Sequence, residues 1–503
     1  MKRLNLKLAG FLAAAAGLLL WAGSASALVP EAPEIRYTFM ENRTLVWIAA
    51  QMHILFAAFI LGAPIFCVIS EWIGMRKGDP RYDRLAKEVT KVTAILYSMT
   101  ALTGGLFILF LIGLYPALTS YLVGEFFPIF GILYPLLFIA ETIVLYTYWY
   151  TWDSLTGPKK GRHVALGVLL NLVGLATLMA IIAPTSYMNT PPTKEVTGLW
   201  DLVHNYSWMP LNIHRIIGNI TFGGFITGLI AAYLYMFSKT KEEKAYYDWM
   251  GFVGNLIGVG ALLFLPAAGY ILAAEFFDFD ASIGPYMMAD QLSKYFQMQG
   301  ALVGLIFMGS NFYIWLSMKR IEGVEKIKLL GIPSFAIVKV GFLIILFGNA
   351  IWMTPNSFSA TGFMATPETQ LPSEWGFLAL MPAKNTAAAL IVIMTIINYI
   401  LYNRAIKRGN IQWGKIDFLS QFVLMFLAFS AIWTMGLMGA VRSLVRKYFH
   451  VYIKFPDFSA EAYTPTLATT SIMVTLMTLA FFGVVSLAIW LSLKMGKVKP
   501  AGG

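Results

Sequence analysis

The chain contains a series of apolar runs of about 20 residues or more, separated by short polar stretches. A helix needs about 20 apolar residues to cross the hydrocarbon core of a bilayer. The pattern therefore predicts an all-α fold, a polytopic bundle of eleven transmembrane helices that follow a leader segment. The predicted helices lie near residues 44–73, 92–118, 128–151, 164–188, 210–238, 248–274, 295–318, 333–354, 380–403, 417–440 and 466–493.

Residues 1–27 have the pattern of a signal peptide. Basic residues come first, an apolar stretch follows, and Ser24 to Ala27 are small residues, as at a cleavage site. An uncleaved anchor helix is the alternative interpretation. In both cases the chain from Leu28 onward emerges on the outer face.

The charges in the loops predict the orientation. Lys and Arg collect in alternate loops, which the positive-inside rule places on the cytoplasmic side. We therefore expect a bacterial-type cytoplasmic (inner) membrane protein with its N-terminus outside and its C-terminus inside. One loop departs from the rule, because Arg442, Arg446, Lys447 and Lys454 would lie outside. Basic residues kept there can serve anionic groups such as haem propionates, or anionic lipid.

The composition excludes several classes of protein. Hydrophobic residues make up 58% of the chain and charged residues only 13%, whereas about a quarter of a soluble domain is charged. The net charge of +11 is spread over short loops, so it does not indicate nucleic-acid binding. The single cysteine, Cys67, excludes a disulfide framework, a Cys-pair metal site and a c-type haem attachment motif.

Three polar side chains within the apolar runs are the main candidates for chemistry. His53, His214 and Glu141 would each be costly at bilayer depth, so each needs an explanation. An imidazole can ligate haem iron, and a buried carboxylate can pass protons. The alternative is that each one bonds a neighbouring helix and only stabilises packing.

The histidine count narrows the kinds of haem protein. The chain has five histidines, at positions 53, 163, 204, 214 and 450. A haem–copper oxidase core needs at least six histidine ligands, so it is excluded. A di-haem bundle needs histidine pairs 13 or 14 residues apart, and no pair has that spacing.

Several segments, taken in order, resemble subunit I of the cytochrome bd quinol oxidases. They are His53 to Phe56 with Leu61 and Gly62, Tyr121 to Phe127 with Ala140 to Thr142, His214 with Gly228 and Tyr233, Gln291 to Gly300, and Ile432 and Trp433 with Gly439 and Arg442. The resemblance is good over residues 44–300 and faint beyond them.

The resemblance implies a role for each matching position. His53 would ligate a haem of the high-spin site, His214 would ligate a low-spin haem b, and Glu141 would relay protons. Lys294 and Gln299 would position quinol, while Trp433 and Arg442 match a cofactor-binding motif. The expected second ligand of the low-spin haem is Met298, Met353 or another of the chain's 25 methionines; the alternatives are that this haem is bound differently or is absent.

The chain also departs from the family pattern. The first glutamate of the third helix is replaced by Leu133 or Tyr134, the ligating glutamate after the tryptophan by Leu437, and the quinol-loop glutamate by Gln299. The segment 334–339 lacks the expected methionine, and eleven helices exceed the family's nine.

These features predict a haem-binding, quinol oxidase-like oxidoreductase subunit that oxidises quinol at the outer face. The expected cofactors are haem b and a second haem, of type b or d, and oxygen reduction is an open step. The expected partner is a second membrane subunit. We expect a bd-like bundle over residues 28–330 and further transmembrane helices over 331–503. The alternatives are a b-haem or quinone membrane anchor that is not an oxidase, and a haem-free structural or transport subunit.

Overall fold

A computed structural model describes residues 42–288, 292–353, 382–457 and 467–494. The predicted signal peptide and the loop 355–374 lie outside the described residues. The side chain of Met353 lies outside them as well. In the predicted orientation the first helix starts at the outer side, at Asn42, and ends at the inner side, at Lys77. The two ends of the bundle are called the predicted outer end and the predicted inner end below.

The described part of the chain is almost entirely helical. Its α-helices, in chain order, are α1 (Asn42–Lys77), α2 (Pro80–Leu114), α3 (Pro116–Glu125), α4 (Tyr134–Tyr150), α5 (Lys160–Tyr187), α6 (Leu199–Val203), α7 (Trp208–Phe237), α8 (Lys241–Leu262), α9 (Leu265–Phe279), α10 (Ile283–Met288), α11 (Ser293–Met318), α12 (Ser334–Met353), α13 (Pro382–Arg408), α14 (Leu419–Leu444) and α15 (Leu467–Lys494). A π-helical segment, Pro128–Leu133, leads into α4, and short 3₁₀ turns lie at Gly157–Lys159 and Val324–Lys326.

Short antiparallel strand pairs close some of the turns. Within the described residues they are β1 (Ile321–Glu322) with β4 (Asn410–Ile411), β2 (Lys328–Leu329) with β3 (Ile332–Pro333), and β5 (Phe449–Val451) with β6 (Phe455–Pro456). The last pair lies in the loop between α14 and α15.

The predicted helix bundle is confirmed. Eleven helical stretches among the described residues are long and apolar enough to cross a membrane. The main difference is that α2 begins at Pro80, about three turns before the predicted 92–118. The first turns of this helix carry Arg81, Asp83 and Arg84, so a search for apolar runs leaves them out. They are helical nonetheless, and Asp79 caps the helix by accepting a hydrogen bond from the backbone N–H of Arg81 at 3.0 Å.

Close backbone contacts fix α1, α7 and α8 against one another. A Cβ atom on Gly62 would lie 2.0 Å from the backbone oxygen of Asn219, and one on Gly224 would lie 2.4 Å from the backbone nitrogen of Gly258. Small residues allow such approaches between membrane helices, where close packing is a main source of stability. The largest apolar cluster runs from Leu55 to Ile489, so both predicted parts of the chain contribute to it. The division at residue 330 stays a prediction.

Buried polar pairs connect the C-terminal helices. Asn311 of α11 donates to Thr395 Oγ1 at 3.0 Å and accepts from Asn398 Nδ2 at 2.8 Å, both on α13. At the predicted inner end, the fully buried Arg320 forms an ion pair with Asp248 of α8 and donates to the Tyr402 hydroxyl of α13 at 2.6 Å. The guanidinium group therefore links three helices.

A second ionic cluster lies at the predicted outer end. Arg43 of α1 contacts Asp457 Oδ2 at 3.4 Å and donates to the Ser443 carbonyl at 3.1 Å. His450 lies 3.5 Å from the same Asp457 oxygen, and Arg446 donates to the His450 carbonyl at 2.8 Å. These contacts tie the start of α1 to the segment that follows α14.

Most of the basic residues that break the positive-inside rule have such local contacts. Lys447 donates to the Ser282 hydroxyl at 3.3 Å, and Lys454 lies over the Tyr187 ring at 5.5 Å. Together with Arg446 they stabilise the outer loop. Arg442 faces elsewhere, into the cavity described below.

We predict that Arg320→Leu destabilises the protein strongly, because it leaves the Asp248 carboxylate buried without its partner. The expected loss is about 3–5 kcal/mol of the free energy of unfolding. The matched control is Lys319→Ala, which breaks the exposed Lys319–Asp417 pair, whose side chains are 48% and 50% exposed. That pair is worth at most about 1 kcal/mol. Thermal unfolding of both variants in detergent checks the prediction, and equal losses would contradict it.

We predict an acid-sensitive contribution from His450. Burial lowers the pKa of His450 from its ordinary 6.5 to about 4, although Asp457 opposes the shift and Arg446 adds to it. The unfolded chain therefore binds a proton at a higher pH than the folded chain, and stability present above pH 6.5 is lost as the pH falls toward 4. His450→Gln should reduce the loss between pH 7 and 5 by on the order of 2 kcal/mol. Unfolding is measured at both pH values, with the variant of the exposed His204, His204→Gln, as control. An equal loss of unfolding free energy between pH 7 and 5 in both variants would contradict the prediction.

Candidate cofactor site

A cavity of about 410 Å³ lies in the predicted outer half of the bundle. Helices α1, α7, α8, α9, α11, α13 and α14 contribute its walls, and most of the lining is apolar. Cofactor and ligand sites in proteins span about 300–1,000 Å³ and usually combine apolar walls with a few polar groups. The size and character of the cavity therefore fit a cofactor or a large apolar ligand.

His214 projects into this cavity from the second turn of α7. A Cβ atom on Gly269 of α9 would lie 3.6 Å from both Cδ2 and Nε2 of the imidazole, so the missing side chain makes room for the ring. Within the described part of the chain, no residue hydrogen-bonds the half-buried imidazole. Buried polar groups normally have partners, so an external ligand explains this ring best.

Two arginines line the same cavity. Arg215 follows His214 on α7, and Arg442 comes from the last turn of α14. Their guanidinium groups are close enough to repel each other, and neither pairs with a carboxylate among the described residues. Two unpaired cations inside an apolar bundle are costly unless an anionic ligand balances them.

Two methionines on α14 complete a third wall. Met435 and Met438 line the cavity and share one helix face with Arg442, since the three positions follow i, i+3 and i+7 spacing. A thioether sulfur is a soft ligand and a known axial ligand of haem iron. The sequence interpretation missed these two residues because it looked for a methionine in the helix that begins at Ser334.

Amide side chains supply the remaining polarity. Gln299, on α11, lines the cavity as the resemblance implied, although its neighbour Met298 does not. Gln51 of α1 donates to the Met435 carbonyl at 3.2 Å and fills the space beside Gly439. Asn219 of α7 is buried, and its Oδ1 has no hydrogen-bond partner in the described structure.

His53 lies apart from this cavity. It is 11 residues into α1, and its Nδ1 contacts the Thr100 carbonyl of α2 at 3.0 Å. The ring packs on α2, where a Cβ atom on Gly104 would lie 2.9 Å from Cε1. A carbonyl only accepts, so Nδ1 carries the hydrogen and Nε2 keeps its lone pair. That arrangement is common among metal-ligating histidines.

Glu141 is buried on α4 and faces α5. A Cβ atom on Gly174 would lie 3.7 Å from Glu141 Oε1 and 3.1 Å from the Leu61 side chain of α1. Thr177 of α5 lies near the carboxyl group, and its hydroxyl donates to the Val173 carbonyl at 3.0 Å. The carboxyl therefore lies where α1, α4 and α5 meet, at a different level from His214.

The other predicted site residues lie around the cavity but not in it. Lys294 is exposed in the first turn of α11, while its neighbour Ser293 lines the cavity. Met298 packs against the apolar cluster that contains Trp433. The Trp433 indole donates to Thr475 Oγ1 of α15 at 3.0 Å, so it joins two helices. The structure thus brings His214, Gln299 and Arg442 together, and leaves the others outside.

The described residues contain no cluster of three or more His, Cys, Asp or Glu side chains that could hold a metal ion by themselves. A metal that brings its own macrocycle needs only one or two protein ligands. An imidazole, two thioethers and two guanidinium groups around an apolar cavity suit such a cofactor when it also carries anionic groups.

Part of the chain matches a known protein family. Residues 42–280 match the family model described as "Cytochrome bd terminal oxidase subunit I". A Bacillus subtilis (strain 168) protein with the provisional name cytochrome bd menaquinol oxidase subunit I is 25% identical over 212 residues, 41% of this chain and 46% of that relative. The matched region thus spans a little under half of the relative's length.

A solved structure is similar over most of the chain. It is the bd oxidase from Geobacillus thermodenitrificans, with 15% sequence identity, a TM-score of 0.48, and coverage of 90% of this chain and 98% of that chain. The family match is carried by residues 42–280, which include His53, Glu141 and His214. Over residues 42–280, a little under half of its length, the chain is similar to cytochrome bd terminal oxidase subunit I, and its described residues contain eleven candidate membrane-spanning helices.

Proposed function

We propose that this chain is the haem-binding membrane subunit of a bd-like complex, which oxidises quinol at the predicted outer face and passes the electrons to haem. The observation that carries the proposal is the cavity in which an unpartnered imidazole faces two unpaired guanidinium groups. The family match supports the same chemistry.

The residues of the cavity fit a haem b. His214 would be one ligand of the iron, and Met435 or Met438 would be the other, in place of Met298. Arg215 and Arg442 would balance the propionates, because guanidinium groups pair well with carboxylates. A bound haem would supply one-electron chemistry at its iron. Residues of α7, α9 and α14 would hold the haem, and the apolar walls would exclude water.

Quinol would approach from the predicted outer end. Lys294 is exposed at the start of α11, and Gln299 lies five residues deeper on the same helix, in the cavity wall. A quinol ring bound between these two residues would be held by the Lys294 ammonium group and the Gln299 amide. Its protons would leave at the outer face.

A second haem, b or d, would use His53, whose free Nε2 is the available ligand atom. Glu141 would take up and release protons for that site, because its carboxyl group is buried among helices and has no ion-pair partner among the described residues. We further propose a second membrane subunit as partner, and the orientation with the N-terminus outside, in a bacterial-type inner membrane.

A second candidate is an anchor that passes electrons to its partner instead of oxygen. Leu437 occupies the position of the family's ligating glutamate, and its side chain is completely buried in an apolar cluster. A leucine cannot ligate iron or carry a proton. This observation favours electron transfer without oxygen reduction, whereas quinol oxidation and haem b binding are common to both candidates.

We predict that His214→Leu removes the haem b signal from the reduced-minus-oxidised spectrum of the purified complex. The loss follows because the imidazole would be an axial ligand. The matched control is His204→Leu, since His204 is exposed and stacks on Trp200 outside the cavity. Haem content, measured as the pyridine complex, should be unchanged in the control. An unaltered b-type band in His214→Leu would refute the assignment.

We predict that Arg442→Gln lowers the midpoint potential of the haem. Oxidised iron carries one more positive charge than reduced iron, so removing a nearby cation favours the oxidised state. The expected shift is on the order of tens of millivolts. A redox titration measures it, with Lys454→Gln as control, because Lys454 is an outer-loop cation over the Tyr187 ring. A potential equal in wild type and Arg442→Gln would contradict the proposed place of the propionates.

A further inference from the structure

A buried ionic cluster at the predicted inner end has no part in the function proposed so far. Glu71 of α1 and His163 of α5 are completely buried and hydrogen-bonded to each other through Oε1 and Nδ1. The Tyr148 hydroxyl of α4 donates to Glu71 Oε2 at 2.6 Å. Lys160 Nζ lies 2.8 Å from Glu71 Oε1 and 2.5 Å from Asp83 Oδ1 of α2.

The hydrogen bonds of His163 fix the number of protons in the pair. Its Nε2 lies 2.8 Å from the Tyr148 backbone carbonyl, which only accepts, so Nε2 carries a hydrogen. The contact between Nδ1 and the Glu71 carboxyl then needs one more proton. Without it, a nitrogen lone pair would face a carboxylate. The pair therefore holds one shared proton.

The charges around the pair keep that proton in place. With the proton, Lys160 and His163 balance Glu71 and Asp83, and the cluster is neutral. Without it, the cluster has a net negative charge in a site where Glu71 and His163 have no access to water. Because the Lys160 ammonium group lies beside Glu71 and the Tyr148 hydroxyl donates to it, the charged form, imidazolium and carboxylate, is favoured.

The members of the cluster at one end are partly exposed to solvent, and Tyr148 at the other end lies on the same helix as Glu141. Asp83 and Lys160 are its partly exposed members, with side chains 16% and 11% exposed. Tyr148 and Glu141 are seven residues apart on α4, so they share a helix face and are separated by about 10 Å along the axis. Both side chains contact the same face of α5. A Cβ atom on Gly167 would lie 3.0 Å from the Tyr148 ring, and a Cβ atom on Gly174 would lie 3.7 Å from Glu141 Oε1.

Asn171 lies between Gly167 and Gly174 on the same face of α5. It is half-buried, and its Nδ2 donates to the carbonyls of Pro64 and Gly167 at 3.1 and 2.8 Å. The polar side chains of Tyr148, Asn171 and Glu141 thus follow one another along the contact between α4 and α5.

We propose that His163 and Glu71 form a proton-holding pair that supplies Glu141, through Tyr148, with protons from the predicted inner side. This rests on the proposed function, in which Glu141 relays protons to a haem site. One proton leaves the pair when His163 Nδ1 gives its proton to the Glu71 carboxylate, the Tyr148 hydroxyl passes a proton from that carboxyl group to water beside Asn171, and this water protonates the Glu141 carboxylate. Another proton enters past Asp83 and Lys160, and the pair returns to its starting state.

The protonation of the pair can be measured without any haem. Since the chain has only five histidines, histidine labelled with nitrogen-15 gives a simple solid-state NMR spectrum of the full complex in lipid, and His163→Gln assigns the His163 signals. Both ring nitrogens of His163 should be protonated at pH 8. Glu71→Gln should make His163 neutral. An unprotonated Nδ1 at pH 8 in the wild type would overturn the proposal.

The transfer step has a separate test. Proton uptake after reduction of the complex by quinol is followed with a pH-indicator dye. Tyr148→Phe should slow this uptake on the order of 10²-fold, while His163 stays doubly protonated in the NMR spectrum. The control is Trp152→Phe, which loses the 3.3 Å hydrogen bond to Asp83 but keeps a ring against His163; it should leave the rate unchanged.

The two possible failures are distinguishable. Unchanged uptake in Tyr148→Phe, or equal slowing in Trp152→Phe, overturns the transfer step. A complex that contains no haem overturns the proposed function and the delivery to Glu141, and in that complex the NMR signal of His163 still decides whether the pair holds its proton.

Discussion

Polar side chains inside an apolar bundle need partners, and this constraint organises the whole molecule. Where the protein supplies the partner, the group connects helices: Arg320 with Asp248, and Glu71 with His163, are completely buried pairs between different helices. Where it does not, the group faces a cavity, as His214, Arg215 and Arg442 do. The cost of leaving such groups unpaired is several kcal/mol. The proposed cofactor is the partner that this cost implies.

The two halves of the bundle divide the proposed chemistry between them. In the predicted outer half, α14 presents Met435, Met438 and Arg442 on one face toward α7, and the Gln51 amide of α1 is hydrogen-bonded to the same helix. In the predicted inner half, α1, α4 and α5 bring carboxyl, hydroxyl and imidazole groups into one hydrogen-bonded cluster. Helix α1 carries both Gln51 and Glu71, so one helix connects the proposed electron-transfer half with the proposed proton-transfer half.

The sequence alone predicts the bundle well and the site in part. Long apolar runs have one structural solution in lipid, so the eleven spans are confirmed. His214, Gln299 and Arg442 share a cavity, although the resemblance assigned them separate roles, and those roles stay predictions. The start of α2 was missed because its first turns are polar.

The rest of the site depends on helix rotation, which apolar periodicity does not determine when helices are apolar all round. Met298 and Gln299 are neighbours, yet only Gln299 faces the cavity. Met435 and Met438 share a face with Arg442, and that spacing is the sequence signal that could have identified them. The Glu71–His163 pair joins residues 92 positions apart, so no local motif indicates it.

The most direct test of the central claim is a cryo-electron microscopy map of the complex purified from its membrane, at a resolution that shows side chains. The account predicts planar density in the cavity, bonded to His214 and to Met435 or Met438, with its acidic groups at Arg215 and Arg442. A cavity filled by lipid, with the His214 ring bonded to a backbone carbonyl, would contradict it.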